Sequence, residues 1–133
     1  MDRPITHNIN FSVFIDKILN GSKCQTIRRE RKNKSFQKGD KIKLFNAENG
    51  KLLGESIITQ VFDISITNLL FYEAFLKNPR SKKWDRINDY NLYDFAIADG
   101  FKSIDEFFKF FSDHYGLPFK GVIIKWKDFQ DER

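Results

Sequence analysis

Residues 18–28 read ILNGSKCQTIR, and residues 29–34 continue as RERKNK. The first three residues end an apolar helical turn. Gly21 then supplies the left-handed position that closes many helices, and a lysine, a threonine and an arginine follow at the head of a β-like segment. Upstream, Phe11, Phe14, Ile15 and Ile18 recur at i, i+3, i+4 and i+7. That spacing predicts a helix over about 10–20, with Asn10 as its cap. KCQTIR (23–28) is a short strand, so the stretch sets a helix running directly into a strand that begins with Lys23.

Downstream, GDKIKLF (39–45) alternates, with Ile42 and Leu44 on one side. Asn49-Gly50 is a two-residue hairpin signal, leading into a long strand over about 51–64. The apolar run 66–76 predicts a helix, and the charged 77–89, with Pro79, predicts a loop or lid. YNLYDFAIA (90–98) returns to helix and ends at Gly100. Ser103 and Glu106 form a capping box, behind which Ile104, Phe107, Phe108 and Phe111 make a buried helix face. KGVIIKW (120–126) closes as a buried strand. This order suits an α+β arrangement: a small twisted sheet or half-open barrel whose first and last strands pair, with helices over its openings.

The 133 residues predict one domain, 1–133, with a core over about 11–126 and an insertion at 77–89. A hydrophobic content of 41%, including 15 phenylalanines, supports a sizeable core. MDRPITHNIN lacks the apolar run of a signal peptide, and no window is long and apolar enough to span a membrane. One cysteine, Cys24, excludes an internal disulfide and fits a reducing, cytoplasmic setting. His7 and His114 lie far apart without cysteine partners, so neither a metal site nor a cofactor is expected. Net charge is +5, but Lys23–Lys43 carries nine Lys/Arg against two acids, and KNPRSKKWDR (77–86) is a second basic run. Charge segregated in this way suits a polyanionic partner. Trp84, Tyr90 and Tyr93 are the candidates for stacking on bases.

With these residues in view, the chain resembles the ASCH family, a branch of the PUA-like superfamily. The resemblance rests on ILNGSKCQTIR, on KGDKIKL, and on FAIADGFKSIDEFFKFF running to VIIKW, from about Phe11 to Trp126. It implies a PUA-like β-barrel flanked by helices, with a cleft at the barrel mouth that binds RNA or a modified nucleoside or nucleotide. On that reading Lys23, Gln25, Arg28, Arg29, Arg31, Lys32, Lys34 and Tyr93 contact the ligand. The G-x-K-x-x-T-I-R element is also similar to that of small bacterial N4-acetylcytidine amidohydrolases. For these the resemblance implies catalysis by a lysine, a threonine and a glutamate, falling here on Lys23, Thr26 and Asp99. Asp99 is one methylene shorter than the glutamate, and 77–89 is an insertion. Other members are RNA binders or ribonucleases, so a binder, an amidohydrolase and a nuclease all stay open.

The trio is chemically coherent. A threonine hydroxyl needs a base to become a nucleophile, and lysine serves only if burial or a nearby cation such as Arg28 lowers its pKa. One geometric condition applies. Residues 23 and 26 of a regular strand point to opposite faces, so Lys23 must still lie in the turn or a bulge must intervene. Asp99 at a helix C-terminus opposes the macrodipole, which predicts an offset, either a nearby cation such as Lys23 or a turn hydrogen bond.

Overall fold

The computed structural model describes residues 5–29 and 34–131. Its organising element is the last strand, Phe119–Asp131, both of whose faces are buried at its centre. Phe119 and Ile123 pack toward the helices, whereas Val122, Ile124 and Trp126 face the opposite core. A continuous apolar run such as GVIIKW is what a two-sided buried strand requires.

In chain order the elements are β1 (Thr6–Phe11), α1 (Ile15–Leu19), β2 (Gln25–Arg28), β3 (Lys41–Asn46) and β4 (Leu52–Asn68). There follow β5 (Glu73–Lys77), β6 (Trp84–Arg86), α2 (Asp89–Ala98), α3 (Ile104–Tyr115) and β7 (Phe119–Asp131). Among the described residues β7 takes β2 on one edge and the long β4 on the other, both antiparallel. The far edge of β4 pairs with β3 near its start and with β5 near its end. Beyond these lie β1, parallel to β3, and β6, antiparallel to β5. The result is an open, barrel-like sheet. The path β1-β3-β4-β7-β2 curls round a core of Ile9, Phe11, Ile42, Leu44, Ile124 and Trp126. It does not close through strand hydrogen bonds: β1 and β2 are both edges, and the Arg28 guanidinium donates across the gap to the Asn10 carbonyl at 2.8 Å.

Several expectations hold. The strand after Gly21 pairs with the last strand, and Gly21 has φ 84°. Ser103 Oγ accepts from the Glu106 N–H, and Phe107, Phe108 and Phe111 are buried. α2 ends at Asp99, just before Gly100. Others need correction. The helix expected over 10–20 is only Ile15–Leu19, capped by Phe14; Asn10 and Phe11 end β1 instead. The β3–β4 connection runs through 47–50, closed by the Asn46 N–H to the Lys51 carbonyl, and is no two-residue turn. The run 66–76 is not helical. Asn68 finishes β4, its side chain accepts from the N–H groups of Leu70 and Phe71 to turn the chain, and 73–77 returns as β5. The expected loop 77–89 contains the short strand β6.

Candidate functional site at the barrel seam

β2 is an edge strand, and its open edge faces the gap toward β1. Along this seam lies a cleft of about 160 Å3, bordered by β1 and the turn after it, by β2, by Asp99 after α2, and by the end of α3. The position on an edge resolves the geometric condition on Lys23 and Thr26. Lys23 precedes β2 and is still in the turn, its N–H bonded to the Lys17 carbonyl at 2.9 Å. A cleft that opens along a strand edge is bordered by residues from both faces, so Thr26 and Ile27 line it together.

Lys23 is only 3% exposed and Asp99 4%. The Lys23 ammonium donates to the Asp99 main-chain carbonyl at 2.5 Å and lies 3.7 Å from Asp99 Oδ1. It sits over the rings of Phe14 and Phe11, 5.4 and 5.9 Å from their centroids. Lys17 likewise donates to the Gly100 carbonyl. Two lysines thus satisfy carbonyls at the C-terminal end of α2, where positive charge is favourable. Lys23 also offsets the Asp99 carboxylate there, which Gln25 Nε2 approaches at 3.4 Å. Burial pulls the Lys23 ammonium below its ordinary range, against the attraction of Asp99, and the Arg28 charge lowers it further. Burial likewise raises Asp99, against the pull of Lys23 and Gln25. Desolvation thus moves both groups toward their neutral forms.

Thr26 is buried, and its Oγ1 accepts from Arg28 Nε at 3.3 Å. The same guanidinium stacks on Phe11, 4.6 Å from the ring centroid, while reaching Asn10. Among the described residues no hydrogen bond joins Thr26 to Lys23. Phe14 holds the site from the other side. Its φ of 62° is the left-handed conformation that bulky residues avoid, and its ring meets Phe101 edge-on at 4.9 Å. A Cβ at Gly100, whose φ is 107°, would come within 2.8 Å of that ring.

Lys23, Thr26, Arg28 and Asp99 therefore border one cleft. Gln25 contacts Asp99 and does not itself line the cavity. Arg29 is exposed, its guanidinium over Tyr115 and Phe119 at 5.0 and 5.5 Å, which places it beside the mouth. Lys34 is exposed on the following loop. Tyr93 projects from α2, 53% exposed, and is not part of the cleft wall. Arg31 and Lys32 lie outside the described residues. Sequence reasoning assigned Phe11 and Phe14 to a helix core and overlooked His114 and Tyr115, all four of which line the cleft. The last two had a signal: they stand one turn beyond Phe110 and Phe111, on which their rings stack. Among the described residues no cluster of three or more His, Cys, Asp or Glu is placed to hold a metal. No helix there is long and apolar enough to cross a membrane.

The open curled sheet and the helices flanking it give the chain a fold of the ASCH type. Crystal structures of the ASCH protein from Zymomonas mobilis share it. The chain superimposes on that protein with a TM-score of 0.57 at 14% identity, over 95% of this chain and 69% of the other. A serine-to-alanine variant of the same protein gives 0.58 at 14%, over 95% and 70%. A tyrosine-to-phenylalanine variant gives 0.56 at 13%, over 96% and 73%. No protein-family model matches the chain, and no curated protein sequence is significantly similar to it.

Proposed function

We propose that this ASCH-type domain binds single-stranded RNA or a modified nucleoside, with one base inserted into the seam cleft. The reading rests on one observation: a buried Lys23–Asp99 pair at the base of a narrow cleft walled by aromatic rings and rimmed by Arg28. A volume of about 160 Å3 is below the ~300–1,000 Å3 of pockets that engulf a whole ligand. It suits a planar base, leaving sugar and phosphate outside beside Arg28 and Arg29. Phe11, Phe14 and Tyr115 offer ring faces, and Lys23, Asp99 and Thr26 offer the polar groups that read a base edge. Fluorescence anisotropy with short labelled RNA tests this. Arg28→Ala removes a cation, a rim contact and the bridge to Asn10, and should weaken binding about ten- to a hundredfold, the worth of a hydrogen bond to a charged group. Unchanged affinity overturns the placement of the ligand.

A second reading, hydrolysis of an N4-acylated cytidine, is favoured by one contact, Arg28 Nε on Thr26 Oγ1. Thr26 Oγ attacks the acyl carbon while its proton passes through a water to Lys23, whose neutral, proton-accepting form burial favours. The C–N bond then breaks, the amine leaves with a proton from Lys23, and water hydrolyses the acyl-threonine. Arg28 supports the oxyanion, and Asp99 holds Lys23. In this reading Thr26→Ala abolishes acyl release and leaves nucleoside affinity near wild type, and Lys23→Arg is equally inactive because a guanidinium stays protonated. Wild-type protein without turnover on acylated cytidine removes this reading and leaves the binding one standing.

A further inference from the structure

A second cleft lies at the other end of α2. It has a volume of about 420 Å3, between the β4–β7 pair, the β5–β6 hairpin and the first turns of the helix. Its floor is apolar: Ile123 and Ile87 are buried, and the rings of Phe62 and Phe95 are half-buried. Two half-exposed lysines border it, Lys77 from β5 and Lys125 from β7, with Lys125 Nζ 5.9 Å from the Phe62 ring centroid. Arg86 is also on its wall but donates to the Phe71 carbonyl, and among the described side chains Asp85 is the carboxylate there. Asn91 adds an exposed side-chain amide on the helix wall. Ring faces below, an amide at the side and cations at the rim are the complement of a nucleotide: stacking surface, base-edge partner and phosphate partner.

The placement ties this cleft to the seam. Lys125 is paired directly with Gln25 across β2–β7, so their side chains rise from the same face of the sheet on neighbouring strands. The Gln25 amide touches Asp99 in the seam cleft, whereas Lys125 turns toward Phe62 in the second. α2 runs from Asn88 at the second cleft to Asp99 at the first, about 15 Å for its ten residues. We propose that the second cleft is a nucleotide subsite for the same RNA strand whose other base enters the seam. The hairpin β5–β6, which carries the second basic run of the sequence, is then the outer wall of a binding groove. This rests on the seam reading above, and the test separates the two.

Binding is measured for a mononucleotide and for single-stranded RNAs of increasing length. The second cleft is altered by Lys77→Gln with Lys125→Gln, which keeps side-chain length, and independently by Asn91→Glu, which sets a carboxylate on an exposed helix position. Lys38→Gln with Lys51→Gln, on exposed loops elsewhere, controls for loss of two charges, and Arg28→Ala reports on the seam. Thermal melts confirm folding of each variant. The expected result is mononucleotide affinity unchanged in both second-cleft variants. Affinity for the longer RNAs should fall about five- to a hundredfold, in the range of one lost stacked base, and the salt slope should fall by about 0.7 per lost phosphate contact. The loop control should keep most of the affinity. Equal loss in the loop control and the lysine variant, with Asn91→Glu silent, overturns the subsite in favour of diffuse charge. Affinity for all lengths that falls in Arg28→Ala but in neither second-cleft variant overturns the subsite and leaves the seam reading intact. Loss in the second-cleft variants with Arg28→Ala silent overturns the seam reading and keeps this cleft as the site. RNA that binds no faster or tighter to wild type than to any variant overturns both.

Discussion

Lys23 and Asp99 form a buried ion pair, and such pairs are costly to break from one side. Removing a single partner leaves an uncompensated charge and costs about 3–5 kcal/mol, whereas replacing both with apolar groups is often near neutral. Lys23→Met and Asp99→Leu should therefore each destabilise strongly in urea unfolding, and the double variant should recover much of the loss. The pH dependence carries opposite signs. In Lys23→Met, Asp99 loses the attraction that lowers it and its pKa rises further above 3.8. The folded state then holds a proton that the unfolded state has released, so stability is greatest at low pH and falls as pH rises through the folded pKa. In Asp99→Asn, Lys23 loses its partner and its pKa falls further below 10.5. There the unfolded state holds the extra proton, so stability increases as pH rises through the folded pKa toward 10.5. Melting temperatures relative to wild type should thus slope downward with pH for the first variant and upward for the second. Parallel slopes contradict the pairing. The pair was partly legible in the sequence, because a carboxylate at a helix C-terminus calls for an offset, for which Lys23 or a turn hydrogen bond stood as alternatives. The rings over Lys23 were not, because their spacing fitted a helix face equally well.

At the scale of elements, the junction of α2 and α1 depends on a glycine. Gly100 has φ 107°, and a Cβ there would meet the Phe14 ring at 2.8 Å. Gly100→Ala should cost about 1–3 kcal/mol in strain and weaken ligand binding, because Phe14 and Asp99 both border the cleft. A variant that melts and binds like wild type would show the junction to be plastic. The errors of sequence reading also belong here. β1 buries alternate residues, yet its inward positions are His7, Ile9 and Phe11 between polar ones, a weak strand signal. Its partner β3 is 35 residues away in register, as in Thr6 opposite Lys41, so no local pattern announces it. His7 enters the interior only because Asp40 Oδ2 lies 2.8 Å from its Nε2. The apolar run 66–76 was read as a helix, but Leu70 and Phe71 are 84% and 68% exposed at a hairpin tip. Asn68 was the overlooked cue, since its side chain builds the turn. The helix α3 was fully legible, with a capping box and Phe107, Phe108 and Phe111 at helical spacing. Phe107→Ala should cost about 3–5 kcal/mol, read by chemical denaturation.

For the molecule as a whole, charge and seam act together. Arg29, which opens the basic stretch after β2, is held beside the cleft mouth on Tyr115 and Phe119. Replacing Arg29, Arg31, Lys32 and Lys34 by alanine should weaken binding to all RNA sequences alike. It should also flatten the salt dependence by up to about 0.7 log units of slope per lost phosphate contact. Unchanged slope would mark the segment as an ordinary solvated surface. The sequence made this charge visible, but not that the barrel stays open between β1 and β2, because an edge is defined by pairings that never form. The ligand is expected to enter at that opening, where the Arg28 guanidinium bridges two strand edges. The most direct measurement is an NMR titration of the amide-labelled protein with a short single-stranded RNA. Entry of the ligand at this opening predicts the largest shift changes at residues 10–14, 23–28 and 99–101 and at the end of α3, saturating together. Shifts confined to surfaces remote from the seam, with those residues unmoved, would contradict it.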